Sequence, residues 1–120
     1  MAVLAATQAN ITRCAKRLRA GGIVAMPTET VYGLAADATN AAAVTSVYAS
    51  KNRPKINPLI CHVSAPEEAF ELGVFNAHAR LLAERFWPGP LTLVVPRSAD
   101  CPVSKLASAG LPTLALRCPD

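Results

Sequence analysis

The chain has 120 residues, 52% hydrophobic and 17% charged, enough to bury about two-thirds of its unfolded surface in one domain, which excludes a disordered chain. Twelve Lys and Arg against eight Asp and Glu give a net charge of +4, which is compatible with nucleotides or RNA as ligands but does not distinguish them. No apolar run reaches the roughly 20 residues of a membrane-spanning helix, and no basic region precedes the apolar N-terminus, so we expect a cytoplasmic protein without a signal peptide.

Apolar residues at helical spacing, short apolar runs and turn residues predict alternating helices and strands. The first predicted elements are a helix over 11–20 capped by Asn10, a strand over 23–26 and a half-exposed extended segment over 28–34. A helix from an Asn40 cap to about Arg53, a strand over 58–63 and a helix opened by a capping box at 64–67 follow. The last elements are a helix capped by Asn76 that breaks at 87–90, and strands over 91–95 and 112–118 with an irregular link around 102–108. This order is typical of an α/β domain with one twisted sheet covered by helices. Nothing follows to cover the last strand, so we expect the single domain at 1–120 to be incomplete on its C-terminal side.

The sequence lacks the motifs of several common sites. The four cysteines, at 14, 61, 101 and 118, include no C-x-x-C pair and have no histidine at zinc-finger spacing, so we expect reduced, mostly packed thiols and no metal ligands. There is no P-loop, no G-x-G-x-x-G and no G-x-S-x-G, and the eight acids form no convincing catalytic pair. An ATP site in this chain would therefore have to work without a P-loop.

The segment 51–58 lies between a predicted helix and a predicted strand and carries three cations. Its two prolines stiffen the backbone, which lowers the entropy lost when Lys51 and Arg53 are held toward one point. Such an arrangement suits a polyanion such as a triphosphate. The alternative is that these cations only complement the C-terminus of the preceding helix and stay solvated.

Alternation along the strand at 112–118 places residues of different character on its two faces. Leu114 and Leu116 share one face, whereas Thr113, Ala115 and Arg117 share the other. That open, polar face can receive a carboxylate or a phosphate through Arg117. The alternative is an edge strand whose Arg extends along the surface to solvent.

His62 poses the same question in the strand at 58–63. Leu59, Cys61 and Val63 can line the core, while His62 shares the other face with Ile60. A single His on such a face can serve a binding site or can be a hydrogen-bonded structural residue, and spacing alone does not separate the two.

Four segments taken together carry a family resemblance. In order and spacing, the motifs PTETVYGL at 27–34, K-x-R-P followed by N-P-L at 51–59, WPGPLT at 87–92 and LRCPD at 116–120 resemble the Sua5/YrdC family of threonylcarbamoyl-AMP synthases. The match spans nearly the whole chain. One such segment would be weak, whereas four in series are specific.

The resemblance implies a twisted, mixed sheet flanked by helices, with a deep and positively charged cavity. It also implies a nucleotidyltransferase that uses L-threonine, bicarbonate and ATP, with Mg²⁺, to form threonylcarbamoyl-adenylate and pyrophosphate. A partner transferase complex then moves the threonylcarbamoyl group to an adenosine in tRNA, giving threonylcarbamoyladenosine.

Mapped motif by motif, the resemblance implies roles for nine residues. Lys51 and Arg53 correspond to the catalytic cations that hold the ATP phosphates, with Asn57 and Thr113 as further nucleotide contacts. The threonine pocket corresponds to Thr30, His62 and Arg117, with Arg117 as the counter-ion of the substrate carboxylate, and with Thr28 and Tyr32 on the same wall if their segment is extended. In the family a later S-x-N signature follows these motifs and would lie beyond Asp120, so the resemblance implies that part of the cavity wall is missing from this chain.

Two other functions stay open from the sequence. One is a carbamoyl-adenylate-forming domain of the kind found, related to this family, in carbamoyltransferases, and that domain would depend on carbamoyl phosphate instead of threonine. The other is a non-catalytic module for tRNA or double-stranded RNA, which would bind through phosphates with strong salt dependence.

Overall fold

Helices and strands alternate along the part of the chain that the computed structural model describes, residues 3–120. The elements are α1 Gln8–Arg19, β1 Val24–Pro27, β2 Tyr32–Ala35, α2 Ala41–Lys51, β3 Ile60–His62, α3 Pro66–Leu72, α4 Ala77–Phe86, β4 Leu93–Pro96 and β5 Thr113–Arg117. The predicted α/β class is confirmed. Within the described residues, no helix is long and apolar enough to cross a membrane.

The strands form two sheets, where we expected one. β1 and β2 make an antiparallel two-stranded ribbon, and β3, β5 and β4 make a mixed sheet whose central strand is β5, parallel to β3 and antiparallel to β4. The physical reason is the turn at 28–31, where the predicted continuous extended segment is interrupted. This turn folds Tyr32 back opposite Pro27, so β1 and β2 satisfy each other's backbone hydrogen bonds.

The helix starts follow their caps. Asn40 and Asn76 cap α2 and α4 as predicted, each accepting from the backbone N–H three residues on, at 3.1 and 2.8 Å. The predicted cap of α1 is wrong, because Thr7 accepts from the N–H of Asn10 at 3.2 Å and the helix begins before residue 11. Asn10 itself lies inside the helix and donates its side-chain amide to the carbonyl of Ala5.

The capping box predicted at 64–67 is also wrong in detail. The cap of α3 is Ala65, which makes no side-chain hydrogen bond, and Pro66 occupies the first turn of the helix. The hydroxyl of Ser64 instead donates to the carboxylate of Glu68. Proline at this position still favours a helix start, because its missing N–H would have no partner inside the helix.

The core lies on one face of the three-stranded sheet. Leu114 and Leu116 of β5 are buried, and Cys61 and Val63 from the β3 segment and Val95 of β4 join them. The alternation predicted for 58–63 and 112–118 is therefore confirmed. All four cysteines are free, with Cys61 and Cys118 buried and the thiols at 14 and 101 half-buried.

We expect Leu116→Ala to lower the free energy of unfolding by about 2–5 kcal/mol, because it opens a cavity in the central strand where Leu116 is 0% exposed. Urea denaturation measures this loss. Val94→Ala in β4, where the side chain is 65% exposed, is the matched control and should stay within about 0.5 kcal/mol of the wild type. Similar losses in the two variants would contradict the assigned core.

Candidate functional site

A cavity of about 850 Å³ is bounded by the β1–β2 ribbon, α2, the β3 segment and the end of β5. Its volume falls within the range of roughly 300–1,000 Å³ that is typical of small-molecule sites. Six of the nine residues singled out from the sequence line it: Thr28, Thr30, Lys51, Arg53, His62 and Arg117. The other three, Tyr32, Asn57 and Thr113, lie outside the lining.

The tight turn at 28–31 explains the position of Tyr32. The Thr28 hydroxyl accepts from the N–H groups of Thr30 and Val31, at 3.3 and 3.1 Å, and donates to the Val31 carbonyl at 2.5 Å. These bonds close a turn, so the parity argument that put Tyr32 on the wall of Thr28 and Thr30 fails. Tyr32 is 79% exposed, whereas both threonines reach the cavity with their hydroxyls 3.1 Å apart.

Arg53 stabilises the loop after α2 by hydrogen bonds to the backbone of the loop itself. Arg53 donates from Nε to the carbonyl of Asn57 at 3.3 Å and from a terminal nitrogen to the carbonyl of Pro58 at 2.9 Å. The Tyr48 hydroxyl, 2.8 Å from the same Asn57 carbonyl, ties the loop to α2. Asn57 therefore uses its backbone here, and the loop is rigid because of hydrogen bonds as well as prolines.

Another of the three cations at 51–58, Lys51, makes no salt bridge within residues 3–120. Lys51 ends α2, is exposed and lines the cavity, and no carboxylate among residues 3–120 lies within salt-bridge distance of it. The alternative that the cations of segment 51–58 only stay solvated therefore does not hold for Arg53, which binds the loop. Lys51 remains available to an anion in the cavity.

Strand β5 brings Arg117 to the cavity beside His62. The two residues are direct neighbours in the parallel β3–β5 register, so their side chains share one face of the sheet. Thr113 belongs to the same face of β5 but opens the strand, four residues and therefore about 13 Å from Arg117. This separation explains why Thr113 lies outside the lining.

The guanidinium of Arg117 is held from two directions. Its Nε and one terminal nitrogen donate to the Thr92 hydroxyl at 3.0 and 2.9 Å, and the other terminal nitrogen pairs with Glu29 at 3.4 Å. Glu29 also accepts the backbone N–H of Asp120 at 2.9 Å. Neither Glu29 nor Thr92 is among the residues singled out from the sequence, although both lie inside the motifs at 27–34 and 87–92.

Burial lowers the pKa of His62, the nearby charge of Arg117 lowers it further, and Glu29 acts in the opposite direction. The imidazole is therefore neutral at neutral pH and offers one donor and one acceptor. Burial also raises the pKa of Cys61, another lining residue, to about 11, so its thiol stays protonated. The cavity is suited to binding and orienting anions, and Cys61 is not an activated nucleophile.

The lining offers little to a metal ion by itself. Within residues 3–120 no three His, Cys, Asp or Glu side chains are grouped so that they could hold one together. Asp37 lines the cavity, but its carboxylate already accepts from the N–H and the hydroxyl of Thr39, at 2.9 and 2.6 Å. These residues do not fit a protein-held Mg²⁺ site.

Comparisons with known proteins agree on one family. The Sua5/YciO/YrdC family model, described as "Telomere recombination", matches residues 16–120. The threonylcarbamoyl-AMP synthase of Bacillus subtilis is 44% identical over 118 residues, which are 98% of this chain and 34% of that protein. The threonylcarbamoyl-AMP synthase of Pyrococcus abyssi is 47% identical over 103 residues, which are 85% of this chain and 30% of that protein. The chain thus spans about a third of the length of these relatives.

Solved structures agree with this result. P. abyssi Sua5 in complex with L-threonine has a TM-score of 0.89 at 44% identity, over 94% of this chain and 33% of that one. Escherichia coli YciO has a TM-score of 0.83 at 19% identity, over 95% of this chain and 55% of that one, a likeness that shows the shared fold alone.

We expect Arg117→Gln to raise the pKa of His62, because it removes a neighbouring positive charge that disfavours the imidazolium and leaves Glu29 without its partner. An NMR titration of the histidine ring signals measures the change. The ring signals of His78, which is exposed on α4, are the internal reference. A His62 pKa that falls in the variant would contradict the assigned electrostatics.

Proposed function

Because the chain belongs to the Sua5/YciO/YrdC family, we propose that it forms threonylcarbamoyl-adenylate and pyrophosphate from L-threonine, bicarbonate and ATP. The observation that carries the proposal is the meeting of motif residues from distant segments, Thr30, Lys51, Arg53, His62 and Arg117, around one cavity. The names of the B. subtilis and P. abyssi relatives support the same activity.

In this proposal the nucleotide phosphates lie against the loop after α2. Lys51 supplies a cation that has no carboxylate partner among residues 3–120, and Arg53 keeps three of its five N–H groups after its two bonds to the loop. A stiff loop with such donors favours a bound triphosphate, because little entropy is lost on binding. Asn57 and Thr113 lie outside the lining, so their part in nucleotide binding is supported only by the motif.

The amino acid lies at Arg117 in the same proposal. Its carboxylate takes the guanidinium N–H groups that Thr92 and Glu29 leave free, and the hydroxyls of Thr28 and Thr30 and the neutral ring of His62 border the same cavity. The bound L-threonine of P. abyssi Sua5, a chain 44% identical, supports this choice of substrate.

The reaction needs positioning more than covalent catalysis. Deprotonated threonine amine attacks the carbon of bicarbonate or carbon dioxide, with loss of water in the former case, to give a carbamate. A carbamate oxygen then attacks the α-phosphorus of ATP in line, and the bond to the bridging oxygen breaks so that pyrophosphate leaves. Both steps gather negative charge, which fixed cations such as Lys51 and Arg53 stabilise.

Further parts of the proposal rest on the family resemblance alone. Mg²⁺ would arrive with ATP, because no group of side chains within residues 3–120 could hold the ion by itself. Transfer of the threonylcarbamoyl group to tRNA by a partner transferase complex, contact with tRNA and location in the cytoplasm stay predictions.

We expect Lys51→Ala to lower threonine-dependent pyrophosphate release by about a hundredfold, because it removes a cation that stabilises the developing charge on the phosphates. Lys55→Ala is the matched control, since Lys55 belongs to the same loop but does not line the cavity, and it should retain near wild-type rates. Equal rates in all three proteins would reject the phosphate site. Pyrophosphate release that requires carbamoyl phosphate instead of threonine would favour the carbamoyl-adenylate alternative.

Arg117→Ala should raise the KM for L-threonine by at least about tenfold and change the KM for ATP much less, because it removes the counter-ion of one substrate only. Initial rates at varied concentrations of each substrate separate the two constants. An unchanged KM for threonine would refute the carboxylate role. RNA binding that weakens steeply with salt, in a protein without turnover, would favour the RNA-module alternative.

A further inference from the structure

The cations that line the cavity differ in one respect. Lys51, Arg53 and Arg117 all border it, but only Arg117 is paired with a carboxylate within residues 3–120. Two other carboxylates, Asp37 and Glu68, line the cavity without coming within salt-bridge distance of any of the three. The pairing therefore distinguishes Arg117 from the cations of the loop after α2.

Glu29 makes this pair from outside the cavity lining. Its side chain is only 17% exposed and that of Arg117 only 14%, so water screens the pair less than at an open surface. Both oxygens of the carboxylate are occupied, one by Arg117 and the other by the backbone N–H of Asp120. Glu29 is thus fixed in place, and its negative charge stays close to any ligand that reaches Arg117.

The hydrogen-bond donors of Arg117 are divided between protein and ligand. A guanidinium has five N–H groups. Thr92 takes one from Nε and one from a terminal nitrogen, and Glu29 takes one from the other terminal nitrogen. One N–H on each terminal nitrogen is left, so two donors remain for the carboxylate of a ligand.

The charge balance at this point separates two kinds of anionic ligand. Arg117 and Glu29 together carry no net charge, and His62 beside them is neutral. A zwitterionic amino acid brings its own ammonium along with its carboxylate and is only weakly opposed by Glu29. A phosphate group with more than one negative charge is opposed strongly, because Glu29 cancels the attraction of the guanidinium.

We propose that Glu29 is a specificity-determining residue that reserves Arg117 for the carboxylate of a zwitterionic amino acid and excludes phosphate groups from it. Phosphates are directed to Lys51 and Arg53, which have no carboxylate partner in the described part of the chain. Glu29 acts through Arg117 and positions it without touching the substrate. The inference rests on the proposed function for the identity of the amino acid, but not for the exclusion of phosphate.

Competition between L-threonine and inorganic pyrophosphate tests the proposal in the full-length protein. Glu29→Gln keeps the size and a hydrogen-bond acceptor but removes the charge, whereas Glu29→Asp keeps the charge and shortens the side chain. Glu84→Gln, at an exposed position on α4, is the control for loss of a carboxylate. Calorimetry measures the Kd of L-threonine with and without pyrophosphate, and thermal unfolding verifies that each variant is folded.

In Glu29→Gln, pyrophosphate at about ten times its Kd for the Arg117 site should raise the apparent Kd of L-threonine roughly tenfold, as expected for simple competition at that site. The wild type, Glu29→Asp and Glu84→Gln should show little competition. Absence of competition in Glu29→Gln would overturn the proposal. So would equal competition in Glu29→Asp, because the hydrogen-bond geometry and not the charge would then matter.

NMR signals of the two histidines keep this test separate from the proposed function. Pyrophosphate should shift the ring signals of His62 in Glu29→Gln far more than in the wild type, and those of His78 in neither. If the wild type binds no L-threonine, the proposed substrate is wrong, and the His62 signals still decide whether Glu29 excludes phosphate. A His62 response that is the same in both proteins would overturn the inference.

Discussion

Alternation along β5 is the constraint on which both the core and the site depend. Leu114 and Leu116 are buried on one face of this central strand, and Arg117 emerges on the other face beside His62. A shift of one residue in its pairing would bury the guanidinium and expose the leucines, at a large cost in free energy. The hydrophobic packing that stabilises the sheet therefore also fixes the position of the arginine.

Lys51 at the end of α2 and Arg53 in the loop that follows have different roles. Arg53 binds the carbonyls of Asn57 and Pro58 and so holds the loop together, while Lys51 keeps its charge uncommitted in the cavity. An arginine is suited to the first task because its planar group donates in several fixed directions at once, and a lysine is suited to the second because it is a compact point charge. Replacement of Arg53 would thus loosen the loop as well as remove a cation.

Electrostatic differences within one cavity assign each substrate of the proposed reaction to its own place. An unpaired lysine attracts a polyanion, whereas an arginine already neutralised by Glu29 binds through directed hydrogen bonds more than through net charge. Two substrates that both carry anionic groups can then be bound together without exchanging places. Burial and the charge of Arg117 lower the pKa of His62, so its imidazole adds no positive charge to the site near Arg117.

Features that depend only on neighbouring residues could be predicted from the sequence. The caps at Asn40 and Asn76, the alternation around His62 and Arg117 and the α/β class all follow from hydrogen bonds and periodicities that span only a few residues. Even at this range the cap of α1 was misplaced, because Thr7 and Asn10 can both serve as caps and the local pattern does not rank them. Four motifs in series also indicated the family, and six of the nine residues named from them line the cavity.

Which distant groups meet depends on the packing of the whole chain and could not be predicted from local patterns. The turn at 28–31 excluded Tyr32 from the cavity and divided the strands between two sheets. Glu29 and Arg117 lie 88 positions apart in the chain, and Arg117 and Thr92 lie 25 apart, so no periodicity relates them. Each pair forms because separate segments pack against one strand, and the free energy that brings them together comes from burying the core of the whole domain.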